Sequence, residues 1–224
     1  MLDAPPSSFS ASVSNASSSS NNPVIVSTVP FTGNTSASLT GNLATTTASL
    51  TAAGFSIIFD DTRSGALFGN SGSGLDTRFH VTADSLYSVT GNFSLQDTNN
   101  VSGDSGLSVR LWEIVGTSNL VPVFDFGNDS RQTANPAFTV GHATGDYAPG
   151  TSSTGSQTGT LLAGHSYQFD VQAYTNSPTA NQGGRGIGGV TFDVAAVPEP
   201  GCISIAACAV ALLSRFRRDR SVSR

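Results

Sequence analysis

The chain of 224 residues contains no lysine, two glutamates, two cysteines and one tryptophan, and 11% of its residues are charged. Long helices favour Ala, Leu, Glu and Lys, so the scarcity of Lys and Glu argues against a helical bundle. The two cysteines, Cys202 and Cys208, both lie near the C-terminus. The first 201 residues therefore hold neither a disulfide framework nor a thiolate metal site.

Negative charge dominates most of the chain. All ten basic residues are Arg, and residues 215–224 contain five of them against one Asp, a net charge of +4. The rest of the chain contains the other five Arg against fourteen acids, a net charge of −9. Because Lys and Arg supply the affinity of proteins for nucleic-acid phosphates, we expect no nucleic-acid binding.

Short alternating segments indicate an all-β fold. Residues 87–95 place Tyr87, Val89, Phe93 and Leu95 on one face of a strand, which is the period-two pattern of a half-buried strand. Residues 167–173 alternate in the same way and are predicted to face inward at Tyr167, Phe169, Val171 and Ala173 and outward at Gln168, Asp170 and Gln172. Turn-forming Gly, Asn, Asp and Ser separate such segments. The pattern predicts eight to ten strands in a single β-sandwich or jelly-roll domain over residues 23–196.

Three polar stretches are predicted to lack regular structure. Residues 1–22 contain nine Ser and three Asn, too little apolar surface to offset the entropy of ordering, so we expect a disordered leader. Residues 127–160 are predicted to form a long loop with at most one short strand near residues 137–140. The glycine-rich residues 183–189 indicate a flexible turn, because no helix follows them as a dinucleotide loop requires.

The C-terminus has three consecutive parts. Val197, Pro198, Glu199 and Pro200 form an extended, rigid peptide, because proline fixes its own φ and restricts the residue before it. Residues 201–213 carry no charge and would form a helix about 20 Å long, short of the roughly 30 Å hydrocarbon core. A basic cluster then follows, with Arg215, Arg217 and Arg218, which would keep this end on the cytoplasmic side.

This order of parts closely resembles the PEP-CTERM sorting signal of bacterial surface proteins, a tail also catalogued as an ice-binding protein C-terminal motif without any bearing on ice. The resemblance implies an exosortase, a membrane protease or transpeptidase, as partner. It implies transient anchoring by residues 201–213 and then release to the cell surface or outside. An ordinary tail anchor and a chance tail are the alternatives.

Family members also carry an N-terminal signal peptide, and residues 1–22 have neither its basic nor its apolar region, so we expect the true start to lie upstream.

One cluster of oxygen ligands is a candidate metal site. Asp97, Asn99 and Asp104 are hard ligands of the kind that bind Ca²⁺, although ordinary turn chemistry explains them as well. His80, His142 and His165 lack the spacing of a zinc site. We expect no other cofactor.

The sequence contains no recognisable catalytic motif, so we expect no enzymatic activity. The leading hypothesis is a structural or adhesive protein of the bacterial surface or extracellular matrix. The alternative is a carbohydrate-binding module that uses exposed aromatic side chains, which requires Trp112 to be exposed rather than buried in the core. A secreted hydrolase is the third hypothesis, and it requires a groove that holds two facing carboxylates.

Overall fold

The computed structural model of the chain describes thirteen β-strands and, within its described residues, no helix. The described residues are 2–3, 7–15, 19–39, 41–64, 69–97, 106–117, 119–126, 152–177 and 183–197. In chain order the strands are β1 (Leu2–Asp3), β2 (Ser7–Asn15), β3 (Ser19–Val26), β4 (Phe31–Leu39), β5 (Asn42–Thr51), β6 (Gly54–Ser64), β7 (Gly69–Val81), β8 (Ser85–Asp97), β9 (Gly106–Val115), β10 (Asn119–Phe126), β11 (Ser152–Leu161), β12 (Ser166–Ser177) and β13 (Gly183–Ala196).

The strands form two antiparallel sheets that pack face to face. Sheet A has the order β10-β9-β12-β7-β2-β3, with β1 also paired to β7, and sheet B has the order β11-β8-β13-β6-β5-β4. Hydrophobic side chains from both sheets fill the space between them. The prediction of an all-β sandwich is therefore confirmed. The predicted C-terminal helix over residues 201–213 lies outside the described residues.

Aromatic rings form the centre of the core. The ring of Phe192 in sheet B lies 4.7 Å from that of Phe169 and 5.6 Å from that of Phe79, both in sheet A. Within sheet B it stacks on Phe55 and on Tyr87, each with its centroid 5.8 Å away. Rings at these separations interact favourably beyond the area that they bury, so Phe192 joins the two sheets.

The period-two predictions hold where side chains are described. Tyr87, Val89 and Phe93 of β8 are buried, and the side chain of Leu95 lies outside the described part. In β12 the four side chains predicted to face inward are also buried: Tyr167, Phe169, Val171 and Ala173. Alternation of apolar residues was thus a reliable signal for the central strands of both sheets.

The prediction of a disordered leader over residues 1–22 is wrong for the part that the structure describes. Strand β2 lies between β7 and β3 in sheet A, and Phe9 and Ala11 are fully buried. The Ser-rich composition hides a period-two pattern in which one apolar face suffices, because the neighbouring strands satisfy the backbone hydrogen bonds. The predicted domain boundary at residue 23 falls inside β3.

The predicted loop over residues 127–160 is wrong at its C-terminal end. Strand β11 pairs along its whole length with β8 and forms an edge of sheet B. Ser, Thr and Gly make up most of β11, and only its last residue, Leu161, is a buried hydrophobic side chain. An edge strand of this kind lacks the apolar alternation that indicates a strand. Residues 127–151, including 137–140, lie outside the described residues.

The flexible turn predicted for residues 183–189 is also wrong, because these residues form the first half of β13. The strand lies between β6 and β8 in the middle of sheet B. A Cβ atom at Gly188 would lie 2.1 Å from the carbonyl oxygen of Asn92, and one at Gly186 would lie 2.5 Å from Oγ1 of Thr175. The glycines therefore permit close packing within the sheet and between the sheets.

One end of the space between the sheets is polar. Asp61 and Arg63 of β6 are almost completely buried, with 1% and 2% of their surface exposed. The Oγ of Ser73 in β7 donates a hydrogen bond to Oδ1 of Asp61 at 2.7 Å, whereas Oδ2 of Asp61 has no hydrogen-bond partner among the described residues. Burial raises the pKa of Asp61 to about 8, because the low-dielectric interior disfavours the charged carboxylate.

Candidate functional site

The outer face of sheet A, which points away from the core, contains an open groove of about 620 Å³. We call this concavity the sheet A groove. Small side chains from β2 and β7 form its floor, and larger side chains from β9, β10 and β12 border it. The floor residues are Ser8, Ser10, Ser12, Gly72 and Gly74; the bordering residues include Trp112, Leu120, Gln168, Asp170, Gln172 and Tyr174.

Strand register places the outward side chains of sheet A in rows that run across the strands. These rows are Trp112, Gln168 and Arg78; then Arg110, Asp170, Asp76 and Ser8; then Ser108, Gln172, Gly74 and Ser10. Neighbouring strands lie about 4.8 Å apart. Aromatic, charged and small residues of four strands therefore share one continuous surface.

The depth of the groove depends on glycine and serine. A Cβ atom at Gly74 would meet only Oγ of Ser10 and the carbonyl oxygen of Val171, each at 3.5 Å, which is ordinary contact. A side chain at residue 74 would therefore fit the backbone but would project into the groove. Gly72 is more confined, because its Cβ would lie 3.0 Å from the carbonyl oxygen of Ala173.

A chain of hydrogen bonds orders the polar side chains of the groove. Nε of Arg78 donates to Oε1 of Gln168 at 3.2 Å, and Nε2 of Gln168 donates to Oδ2 of Asp76 at 3.1 Å. In the adjoining rows, Nε2 of Gln172 donates to Oδ2 of Asp170 at 3.3 Å. Side chains held in this way bind a ligand at a lower entropic cost than free ones.

The two carboxylates of the groove have different surroundings. Asp76 and Asp170 are direct partners in the ladder between β7 and β12. Burial raises the pKa of Asp76, and the nearby charge of Arg78 opposes this effect. Asp170 lies beside Arg110, with Nη1 of the guanidinium 4.0 Å from Oδ2 of the carboxylate.

Trp112 supplies an aromatic surface at the border of the groove. Its side chain is partly exposed and lies outside the core, on the face of β9 opposite to the buried Val109 and Leu111. The guanidinium carbon of Arg110 lies 5.7 Å from the centre of the indole. The sequence left open whether the indole was buried or exposed, and the structure places it at the surface.

Two further concavities lie on the outer face of sheet B. One, of about 680 Å³, is lined by Gly91, Gly155 and Gly189 with neighbouring Thr, Ser, Asn and Ile side chains. The other, of about 520 Å³, is lined mainly by apolar and hydroxyl side chains together with Asp193. Neither combines an indole with paired carboxylates, so the sheet A groove is the better candidate site.

The predicted sorting motif lies almost entirely outside the described residues. Val197 is exposed and directly follows β13, where its backbone N–H donates to the carbonyl oxygen of Asp84 at 3.1 Å. The structure does not describe Pro198, Glu199, Pro200, residues 201–213, Arg215, Arg217 or Arg218. Among the residues that it does describe, no helix is long and apolar enough to cross a membrane.

The candidate calcium site is likewise not described. Asp97 ends β8, but its side chain is outside the described part, as are Asn99 and Asp104. Within the described residues, no group of three or more His, Cys, Asp or Glu side chains could hold a metal ion. His80 lies 3.3 Å from Oγ of Ser166, and His165 lies 2.7 Å from Oε1 of Glu113, whereas His142 is not described. Calcium binding therefore stays a prediction.

The sequence predicted which face some of the groove residues occupy, but it did not predict that these residues lie together. It predicted that Gln168, Asp170 and Gln172 face outward, and all three lie on the outer face of sheet A, where neighbouring side chains bury most of Gln168 and Asp170. Asp76 carried no signal of its own. Residues 71–74, just before Leu75 and Asp76, alternate Ser and Gly. This alternation was the one available indication of a strand whose outward positions carry no side chain.

Comparison with known proteins does not assign the chain to a family. No protein-family model matches the chain, and no curated protein matches it. A solved structure of infectious bursal disease virus, Gx strain, is similar at 9% identity and a TM-score of 0.29. The match covers 88% of this chain and spans about 59% of the viral chain.

Proposed function

We propose that this protein is exported to the bacterial surface or extracellular matrix and binds polysaccharide there through the sheet A groove. The observation that carries the proposal is the position of Trp112, the chain's single tryptophan, at the border of a polar groove and not in the core. This position favours the glycan-binding alternative over a purely structural role. Adhesion to a matrix polysaccharide would follow directly from such binding.

The groove has the two kinds of surface that a sugar needs. The apolar face of a pyranose ring stacks on an aromatic side chain, while its hydroxyl groups exchange hydrogen bonds with ordered polar groups. Trp112 supplies the first, and Gln168, Gln172 and Asp170 supply the second. Because the groove is open and not enclosed, it suits an internal stretch of a long chain.

Loss of the indole is expected to weaken polysaccharide binding. We expect Trp112→Ala to weaken binding by about tenfold or more, equivalent to about 1.4 kcal/mol, because the stacking surface is removed. Gly74→Leu should abolish binding by filling the groove. Affinity electrophoresis and calorimetry with β-1,3-glucan, β-1,4-glucan, xylan, mannan, chitosan and polyuronate would measure both effects.

A matched control distinguishes an effect on the groove from a general loss of folding. Ile58→Ala removes an exposed apolar side chain, 64% exposed, from the outer face of sheet B, and it should bind as the unchanged protein does. If the folded protein binds none of these polysaccharides, or if Trp112→Ala binds them equally well, the proposed glycan-binding function is wrong.

Export would depend on the C-terminal tail. The tail's resemblance to a PEP-CTERM signal supports an exosortase as the processing partner, with residues 201–213 holding the precursor in the membrane before cleavage. The opposite net charges of the tail and the rest of the chain are consistent with an Arg-rich end in the cytoplasm and a sandwich outside. Val197, exposed directly after β13, would leave the motif accessible to the enzyme.

Substitution of the motif is expected to block processing. In a host with an exosortase, mature protein should lack residues 201–224 or nearly all of them. Replacing Pro198, Glu199 and Pro200 by Ala should leave a full-length, membrane-held form, because the rigid recognition peptide is lost. Mass spectrometry of the C-terminal peptide measures the outcome. An intact Arg-rich terminus on the unchanged protein in such a host would show instead an ordinary tail anchor.

A further inference from the structure

We propose that the sheet A groove also cleaves the polysaccharide that it binds, with Asp76 and Asp170 as the two catalytic carboxyl groups of a retaining glycoside hydrolase. The inference rests on the proposed glycan binding, and it reverses the expectation from sequence that the protein has no enzymatic activity. The condition set by the sequence for a hydrolase was a groove with two facing carboxylates, and the register of β7 and β12 supplies that pair.

The register places the two Asp side chains on adjacent strands, from which their carboxyl groups could reach one glycosidic bond. Side chains directly opposite in an antiparallel ladder have their Cβ atoms about 4.5–5.5 Å apart. Retaining glycosidases use carboxyl groups about 5–5.5 Å apart, because one carboxylate must reach the anomeric carbon while the other reaches the glycosidic oxygen. Like charges at directly opposite positions destabilise a sheet, and here the charges of Arg110 and Arg78 lie beside the pair.

The surroundings divide the two roles. Asp170 has the Arg110 guanidinium beside it and accepts a hydrogen bond from Gln172, and these neighbours would hold its side chain in place as the nucleophile. Asp170 is buried, at 9% exposed, and the less buried Asp76 accepts a hydrogen bond from Gln168. Burial raises its pKa against the opposing charge of Arg78, which suits a proton donor. Two carboxyl groups with different environments are the usual basis of an acid and a nucleophile in one site.

The reaction would proceed in two balanced steps. First, the Asp170 carboxylate attacks the anomeric carbon while Asp76 gives its proton to the glycosidic oxygen. The bond from the anomeric carbon to that oxygen breaks, and the leaving sugar departs as an alcohol. Second, the Asp76 carboxylate takes a proton from water, whose oxygen attacks the anomeric carbon. The ester bond to Asp170 then breaks, so both carboxyl groups return to their starting forms and the configuration is retained.

Trp112 is placed to hold a neighbouring sugar ring. It lies opposite Gln168, two residues from Asp170 on the adjacent strand, a diagonal separation of about 7–8 Å. A ring stacked on the indole would therefore leave the next glycosidic bond near the carboxylates. Binding energy gained at such a remote contact is what positions a substrate for reaction.

The test measures cleavage and covalent labelling of the full chain. The purified protein is incubated with each polysaccharide of the binding panel, and new reducing ends are counted. It is also treated with activated 2-deoxy-2-fluoro glycosides of the matching sugars, which accumulate the glycosyl ester. We expect reducing ends from the unchanged protein, a loss of about 100-fold or more in Asp76→Asn and Asp170→Asn, and a label that peptide mass spectrometry maps to Asp170.

The outcomes separate this inference from the proposed function. Ile58→Ala, on the outer face of sheet B, should both bind and cleave polysaccharide as the unchanged protein does. If the unchanged protein binds a polysaccharide but produces no reducing ends and takes no label, the hydrolase inference is wrong and glycan binding stands. If it neither binds nor cleaves, both are wrong. Labelling is done on the unchanged protein, so a variant that fails to fold does not affect that result.

Discussion

Replacing Asp61 by Asn is expected to stabilise the protein at pH 9 by an amount on the order of 5 kcal/mol. Burial raises the pKa of Asp61 from 3.8 to about 8. The folded protein therefore prefers the protonated carboxyl, and in the unfolded chain the group ionises near pH 3.8. Between these two values each pH unit removes about 1.4 kcal/mol of stability.

The direction of this effect follows from which state binds the proton. Below about pH 4 the carboxyl is protonated in both the folded and the unfolded state. Asp61 then does not lower the free energy of unfolding, and the Asn variant should be as stable as the unchanged protein. As the pH rises toward 8, only the folded state keeps the proton, and the unchanged protein loses stability. Asn keeps the acceptor for the Ser73 hydroxyl but never ionises, so the variant avoids this loss.

Denaturant unfolding from pH 4 to pH 9 measures the difference between the two proteins. Asp60→Asn is the matched control, because Arg185 lowers the pKa of the neighbouring, more exposed Asp60. That substitution should give a small effect of opposite sign, destabilising above pH 4. A constant difference between Asp61→Asn and the unchanged protein across this range would contradict a buried, neutral Asp61.

Truncation of Phe169 to Ala is expected to cost about 3–5 kcal/mol of folding free energy. The side chain is 1% exposed, and its ring lies 4.7 Å from that of Phe192 in the opposite sheet. Removing it leaves a cavity between two rigid sheets that cannot close around the gap, and it deletes the shortest ring contact across the sandwich. Thermal and urea unfolding would both measure the loss.

The control for this truncation is an apolar side chain outside the core. Ile25→Ala removes a side chain that is 75% exposed on β3, and surface substitutions of this kind usually change stability by less than about 0.5 kcal/mol. If Phe169→Ala were as mild as Ile25→Ala, the packing between the sheets described above would be wrong.

Apolar alternation was sufficient to predict β8 and β12 but not β2, β11 or the first half of β13. Residues 87–93 and 167–173 bury large side chains on one face, and this pattern is visible in sequence. Strand β2 is rich in Ser, and Ser, Thr and Gly make up most of the edge strand β11. Their backbone pairing stabilises them, and backbone pairing leaves no trace in composition.

The groove could not be predicted because it depends on strand order. Asp76 and Asp170 lie far apart in sequence, and only the pairing of β7 with β12 makes them direct neighbours. The same holds for Trp112, which meets Gln168 through the pairing of β9 with β12. Local periodicity assigns a side chain to a face, but long-range register decides which side chains share that face.

The central position of β13 has a mechanical consequence. Residue 197 continues directly from this strand, which has β6 on one side and β8 on the other along nearly its whole length. A pull on the C-terminal end would act parallel to β13, across hydrogen bonds that run perpendicular to it. These bonds would be loaded together in shear and would not open one after another. A pull on the C-terminal end would therefore load the pairing of β13 with both β6 and β8, whereas the edge strand β11 is paired with β8 alone.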